Sequence, residues 1–195
     1  AAVAVVGLAS MGAGGAAAAK LPNGYKKAVS IDGLVAQTWR TGESALPAPS
    51  VAANGAGRSA VASGTWTSKL SKGTGNIEVG YLVGCQIDIT GFEGSFTGAL
   101  DFIAGSADGS ASVSIPLKPG QVAYAKLTDK DIKKGIASIQ SERFEIDVQQ
   151  CGGYASARSV AKVVAAEGFN TDDGTVNGEG GYVQSTLYGK PFSLN

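Results

Sequence analysis

Apolar and polar positions alternate along much of this chain with a period of two rather than 3.6, which is the pattern of half-buried strands. The clearest case is Phe144 to Val148, where Phe144, Ile146 and Val148 interleave with Arg143, Glu145, Asp147 and Gln149, giving one buried and one wet face. The same reading predicts strands at Ala28 to Ile31, around Thr65-Trp66-Thr67, at Ile77 to Val83, at Ala155 to Ala165 and at Val183 to Leu187. Ala45 to Gly57, rich in Pro, Ala, Asn and Gly, reads as a loop, and so does Asn170 to Gly181. Thr128 to Ile139 is ambiguous: Thr128 caps a possible helix with Asp129 and Asp131 in its first turn, but Gly135 interrupts it. The expected fold class is all-β.

The longest alternation lies between Phe92 and Leu117. Phe92, Gly94, Phe96, Gly98, Leu100, Phe102 and Ala104 share one face of an extended strand, and Glu93, Ser95, Thr97, Ala99 and Asp101 share the other, with Ile103 as the one exception. A returning arm repeats the rule, with Ala111, Val113, Ile115 and Leu117 alternating with Ser110, Ser112, Ser114 and Pro116. The arms meet at Gly105-Ser106-Ala107-Asp108-Gly109, a glycine-bounded turn carrying Asp-Gly. This is a hairpin with one apolar face and one face of small, polar or acidic residues. Such a hairpin belongs either to an ordinary sandwich with a solvated face or to a membrane barrel with lipid outside and water inside.

Charge separates the two. The chain of 195 residues has 16 basic and 16 acidic residues, so its formal net charge is zero. Between Lys72 and Lys118, however, there is no Lys or Arg, while Glu78, Asp88, Glu93, Asp101 and Asp108 all fall there. A soluble outer face normally carries Lys and mixed-sign charge. Phe92 to Ala104 extends over about 33 Å at a barrel tilt near 40°, enough to cross a bilayer core. Unpaired strand edges are prohibitive in hydrocarbon, so one hairpin must close a barrel with copies of itself. Rotational symmetry then turns each lumen acid into a ring that favours cations. The pore-lining candidates are Glu93, Ser95, Thr97, Asp101, Asp108, Ser110, Ser112 and Ser114. The lipid-facing candidates are Phe92, Phe96, Leu100, Phe102, Val113 and Ile115. Asp108 also suits its turn simply as an Asp before Gly.

Composition narrows the remaining choices. With no histidine, histidine triads and ordinary histidine metal sites are excluded, and two cysteines alone cannot make a four-ligand cluster. The 29 glycines favour turns and strands of small residues over long helices. The absence of a basic run argues against nucleic acid. Ala1 to Ala19 is uncharged and ends Ala17-Ala18-Ala19 before Lys20, the pattern of a signal peptide's apolar core running into its cleavage site, with a membrane helix as the alternative. Export makes Cys85 and Cys151 a candidate disulfide closing a long loop; two buried free thiols are the other option. An enzyme would have to rest on carboxylates such as Asp172 with Asp173 or Glu145 with Asp147, which read better as loop and strand-face residues. Trp39 and Trp66 read as packing residues. No cofactor or metal is called for. A secreted sandwich that binds an envelope partner through a soluble hairpin is the main competing reading.

Several stretches resemble the MspA-type porins of the outer membrane of mycolic-acid-bearing bacteria. Gly75-Asn76-Ile77-Glu78-Val79-Gly80-Tyr81-Leu82-Val83-Gly84 is similar to that family's Gly-x-Leu-Glu-Leu-Gly-Tyr-x-Ile-Gly entry to the pore hairpin. Leu187-Tyr188-Gly189-Lys190-Pro191-Phe192-Ser193-Leu194-Asn195 resembles its closing Tyr-Gly-x-Pro-aromatic-x-x-Asn. Ser114-Ile115-Pro116-Leu117-Lys118-Pro119-Gly120 and Cys151-Gly152-Gly153-Tyr154-Ala155 resemble members with a cysteine at each of two positions. The resemblance runs from about Trp66 to the end. It implies a β-sandwich rim domain, residues 20–84 and 120–195, from which an extended amphipathic hairpin, residues 85–119, contributes two strands to an oligomeric transmembrane β-barrel. It further implies a goblet-shaped homo-oligomer, octameric in the best-known member, or a mixed channel with a related chain, passing small hydrophilic solutes and cations. The best-known member narrows its pore with adjacent aspartates near the hairpin tip; here the tip offers only Asp108, and Asp101 sits earlier.

Overall fold

The alternation becomes two facing sheets. The computed structural model describes residues 19–50, 57–86, 122–177 and 180–194, together with the backbone of residues 112–116. Among the described residues there are eleven strands and no helix: β1 (Ala19–Lys20), β2 (Gly24–Val29), β3 (Val35–Ala48), β4 (Arg58–Leu70), β5 (Thr74–Cys85), β6 (Ser112–Pro116), β7 (Val122–Ile132), β8 (Ile136–Gln149), β9 (Ala155–Ala166), β10 (Tyr182–Tyr188) and β11 (Phe192–Leu194). The first sheet runs β1-β3-β4-β8-β6, with β2 also on β3; the second runs β10-β9-β5-β7, with β11 also on β9. All pairings are antiparallel except β6 on β8. The all-β expectation holds.

The core is a layer of alanine and β-branched residues around four aromatic rings. Trp66 and Phe144 project from the first sheet and Tyr81 from the second, all fully or nearly fully buried. Tyr81 stacks on Phe144 with ring centroids 5.4 Å apart and meets Trp66 and Phe192 edge-on at 6.3 and 6.2 Å. Tyr81 therefore joins the two sheets, and Phe192 of the closing motif joins the C-terminal strand to the same cluster. Trp39 instead packs on Tyr25, 5.5 Å between ring centroids, outside this cluster.

Two sequence expectations are corrected, Ala45 to Gly57 as loop and Ile31 as strand, and one ambiguity, Thr128 to Ile139, is resolved. The stretch Ala45 to Gly57 is not loop throughout, because Ala45 to Ala48 continue β3 and Ala45 is buried. Thr128 to Ile139 is not a helix: it is the end of β7, a tight turn with Gly135 at φ +73°, and the start of β8. Ile31 lies beyond β2 in an exposed turn. Most of β3 carries no apolar signal at all, because its inward positions include Thr38, Arg40 and Glu43.

Those buried charges organise one side of the sandwich. A bulge between Thr41 and Ser44, with Gly42 at φ +63°, turns Glu43 back toward Arg40. Arg40 Nε lies 2.6 Å from Glu43 Oε2, and both side chains are almost wholly buried. The rest of the guanidinium donates to the Tyr188 carbonyl at 2.6 Å and the Pro22 carbonyl at 2.7 Å. One side chain thus ties the β1–β2 connection, β3 and the end of β10 together. Burial pushes the Glu43 carboxyl up, opposed by the Ser159 hydroxyl and by Arg40. Removing one partner of a buried pair leaves the other uncompensated. Arg40→Ala is therefore expected to lower unfolding free energy by about 3–5 kcal/mol in a urea titration. A loss below about 1 kcal/mol, the scale of an exposed pair, would contradict this role.

Candidate functional site

β5 and β8 end at the same pole of the sandwich, and a disulfide joins them there. Cys85, the last residue of β5, is bonded to Cys151, two residues past β8, with Cα atoms 5.9 Å apart and a sequence separation of 66. Both cysteines are buried. The candidate pairing read from export chemistry is thus the one formed. Gln150 adopts φ +58°, which makes the bend from β8 into Cys151. Gln86 N donates to the Tyr154 carbonyl at 2.9 Å, and the Tyr154 hydroxyl lies 2.8 Å from Ser193 Oγ on β11. Arg58 at the start of β4 donates through Nε to the Gly153 carbonyl at 3.0 Å. Four strand ends are therefore fastened around Gln86, where the candidate pore segment begins.

Most of the sequence-predicted site lies outside the described residues: Glu93, Ser95, Thr97, Asp101, Asp108 and Ser110 of the lining, and Phe92, Phe96, Leu100 and Phe102 of the lipid face. Ser112, Val113, Ser114 and Ile115 lie on β6, whose backbone pairs in parallel with Glu145 to Gln149 of β8. Glu78 is accounted for in the sandwich. It sits on the outer face of the second sheet, where Oε1 accepts from the Tyr124 hydroxyl at 2.8 Å and from Lys162 at 3.2 Å. Lys126 lies 3.7 Å from its other oxygen and 2.7 Å from Asp129, which also accepts from Asn76 at 3.0 Å. Lys162 Nζ stands 4.1 Å from the centre of the Tyr124 ring. Gly80 leaves room for that ring, since a Cβ there would fall 2.7 Å from it. The Gly75 to Gly84 motif thus serves the ionic cluster through Asn76 and Glu78, close approach through Gly80, and the core through Tyr81 with Ile77, Val79 and Val83.

Sequence reasoning missed this cluster because its members lie on β5, β7 and β9, up to 84 positions apart. A cleft of about 410 Å³ beside it is lined by Asn76, Glu78, Asp129, Lys162, Val164 and Phe169. Its two carboxylates are already held by lysines, a tyrosine and an amide. The carboxylate pairs weighed for catalysis are similarly placed. Asp173 accepts from the Thr175 N–H and hydroxyl in a loop, and Asp147 holds Ser50 and Gln149 on the β8 face. Among the described residues no three His, Cys, Asp or Glu side chains are grouped to hold a metal.

The cluster's electrostatics set an acid limit. Burial alone would push the Glu78 carboxyl up, but the hydrogen bonds from Tyr124 and Lys162 and the charges of Lys162 and Lys126 together hold it below its ordinary value. Asp129 is held low by Lys126 first and Asn76 second. A depressed carboxylate stabilises the fold above its unfolded value, about 4 for these groups, and that contribution is lost as pH falls through the lower folded value. Urea midpoints measured against pH should drop on that acid limb, and Glu78→Gln with Asp129→Asn should flatten the drop; an unchanged slope would contradict the cluster's role. At the disulfide, Cys85→Ser with Cys151→Ser should lower stability by about 4 kcal/mol from loop closure alone. A loss near zero would show that the pole is held by its hydrogen bonds instead.

The family model for MspA matches residues 32–193, which extends the likeness upstream of Trp66 to Asp32 and through nearly all of the sandwich. No curated protein matches the chain.

Proposed function

The chain belongs to the MspA family, a family of porins rather than enzymes, and we propose that it forms a water-filled, cation-preferring channel through the outer membrane of a mycolic-acid-bearing bacterium. In this reading residues 1–19 direct export, the sandwich is a rim domain outside the hydrocarbon, and residues 85–119 supply two strands per subunit to a closed barrel. The subunits are copies of this chain, eight by family likeness, or alternate with a related chain. Small hydrophilic solutes and cations permeate without a cofactor.

The observation that carries the reading is the amphipathic segment 92–117 inserted between two strands of a sandwich of the MspA family. Its polar positions are small or acidic and none is basic, so a symmetric ring of subunits surrounds water with carboxylates. Glu78 is matched by Lys162 and Lys126 in the rim, which leaves Asp88, Glu93, Asp101 and Asp108 in the inserted segment, the last three being the acids proposed to face the lumen. The disulfide supports an exported chain and gives the hairpin a fixed base.

Planar-bilayer recordings under a salt gradient test this. The wild type is expected to open in steps with a reversal potential on the cation side. Glu93→Gln, Asp101→Asn or Asp108→Asn should move that potential toward zero, most strongly at the narrowest ring. Silence from a well-folded oligomer would reject the homomeric pore and turn attention to a missing partner chain or to the secreted binding module.

A further inference from the structure

The placement of β6 conflicts with a hairpin that reaches beyond the sandwich. Ser112 is in register with Glu145 and Pro116 with Gln149, so these five residues run alongside β8 toward the disulfide pole. They lie beside the sandwich body and end level with its pole. A returning arm of a membrane hairpin would approach that pole from the opposite side and pair antiparallel with its outgoing arm. The same residues, Ser112 to Pro116, carry the alternation of that returning arm. One stretch of backbone cannot hold both positions.

We propose that the outer edge of β8 is a docking site for the chain's own residues 112–116, which occupy it before assembly and leave it when the barrel forms. The proposal rests on the porin reading of the preceding section. The pairing is suited to exchange. It is the one parallel pairing among the described strands, it is five residues long, and Pro116 has no N–H to give to the ladder. Docking also covers the backbone groups of Glu145 to Gln149, an edge that would otherwise be open to a second chain in water. It holds the backbone of these five residues of the returning arm against the sandwich until neighbouring subunits and lipid offer the arm better partners. The Cys85–Cys151 bond keeps the start of the inserted segment beside the end of β8, so that undocking moves the arm without moving its base.

Ser112→Cys with Glu145→Cys places two thiols at a registered pair, and Ser112→Cys with Glu142→Cys places the second three positions out of register. Both are oxidised with copper phenanthroline as dilute protein in water, and the new bond is identified by peptide mass. The registered pair should cross-link readily and the control several-fold more slowly; equal rates, or no cross-link, would overturn the docking. The oxidised registered variant should give no openings in a planar bilayer and recover them on reduction, with wild type carried through the same reductant to account for its native disulfide. Openings from the cross-linked form equal to those of its reduced form would overturn the release step. A registered cross-link in the double variant in water, together with wild type that never conducts, would reject the porin reading, and release with it, while leaving the docked pairing standing.

Discussion

The sandwich depends on a charge that it buries. Arg40 occupies an inward position on β3, where an apolar side chain would be the ordinary choice, and its guanidinium meets three groups: Nε lies beside the Glu43 carboxylate, and the two terminal nitrogens donate to the carbonyls of Tyr188 and Pro22. Three separate stretches of chain meet at that group. β2 is joined to β10 nearby, where Lys26 donates to the Thr186 carbonyl at 2.9 Å. A hydrophobic residue at position 40 would leave two carbonyls and the Glu43 carboxylate without their donor, so the ion pair positions chain ends rather than merely adding stability.

That dependence explains what could be read in the sequence and what could not. β5, β8 and β9 were legible because their inward residues are mostly apolar at every second position, as in Ile77, Val79, Tyr81 and Val83, with Ser159 the polar exception on β9. β3 was hidden because Thr38, Arg40 and Glu43 face inward, Arg40 and Glu43 pairing with each other across the bulge while Thr38 and Arg40 also reach Ser68 and Tyr188, far away in sequence. The β7–β8 turn was ambiguous because Thr128, Asp129 and Asp131 are equally good at a helix start and on a charged strand, where Asp129 and Asp131 receive Asn76. The disulfide was legible from the cysteine count together with a reading of the uncharged stretch Ala1 to Ala19 as an export signal. The ionic cluster around Glu78 was not, since nothing in the spacing of Glu78, Tyr124 and Lys162 records that β7 and β9 flank β5.

The sandwich and the inserted segment handle charge in opposite ways. In the sandwich each acid of the Glu78 cluster has a basic or amide partner within hydrogen-bonding reach, and the net effect is local neutrality. In the inserted segment acids have no basic residue within the whole stretch from Lys72 to Lys118. Carboxylates without cations are tolerated where water and mobile ions can reach them, which is the environment of a channel lumen. From Lys20 on, the residues outside 85–119 carry 15 basic and 12 acidic side chains, so the acids without nearby basic residues are those of the inserted segment, where the proposed channel would use them to favour cations.

Solute flux is the most direct measure of a channel. Purified oligomer reconstituted into liposomes should cause swelling in isotonic sugars and small cationic solutes, at rates that fall with solute size and are highest for cations. Swelling no faster than in protein-free liposomes, from protein whose oligomers and disulfide are intact, would contradict the account.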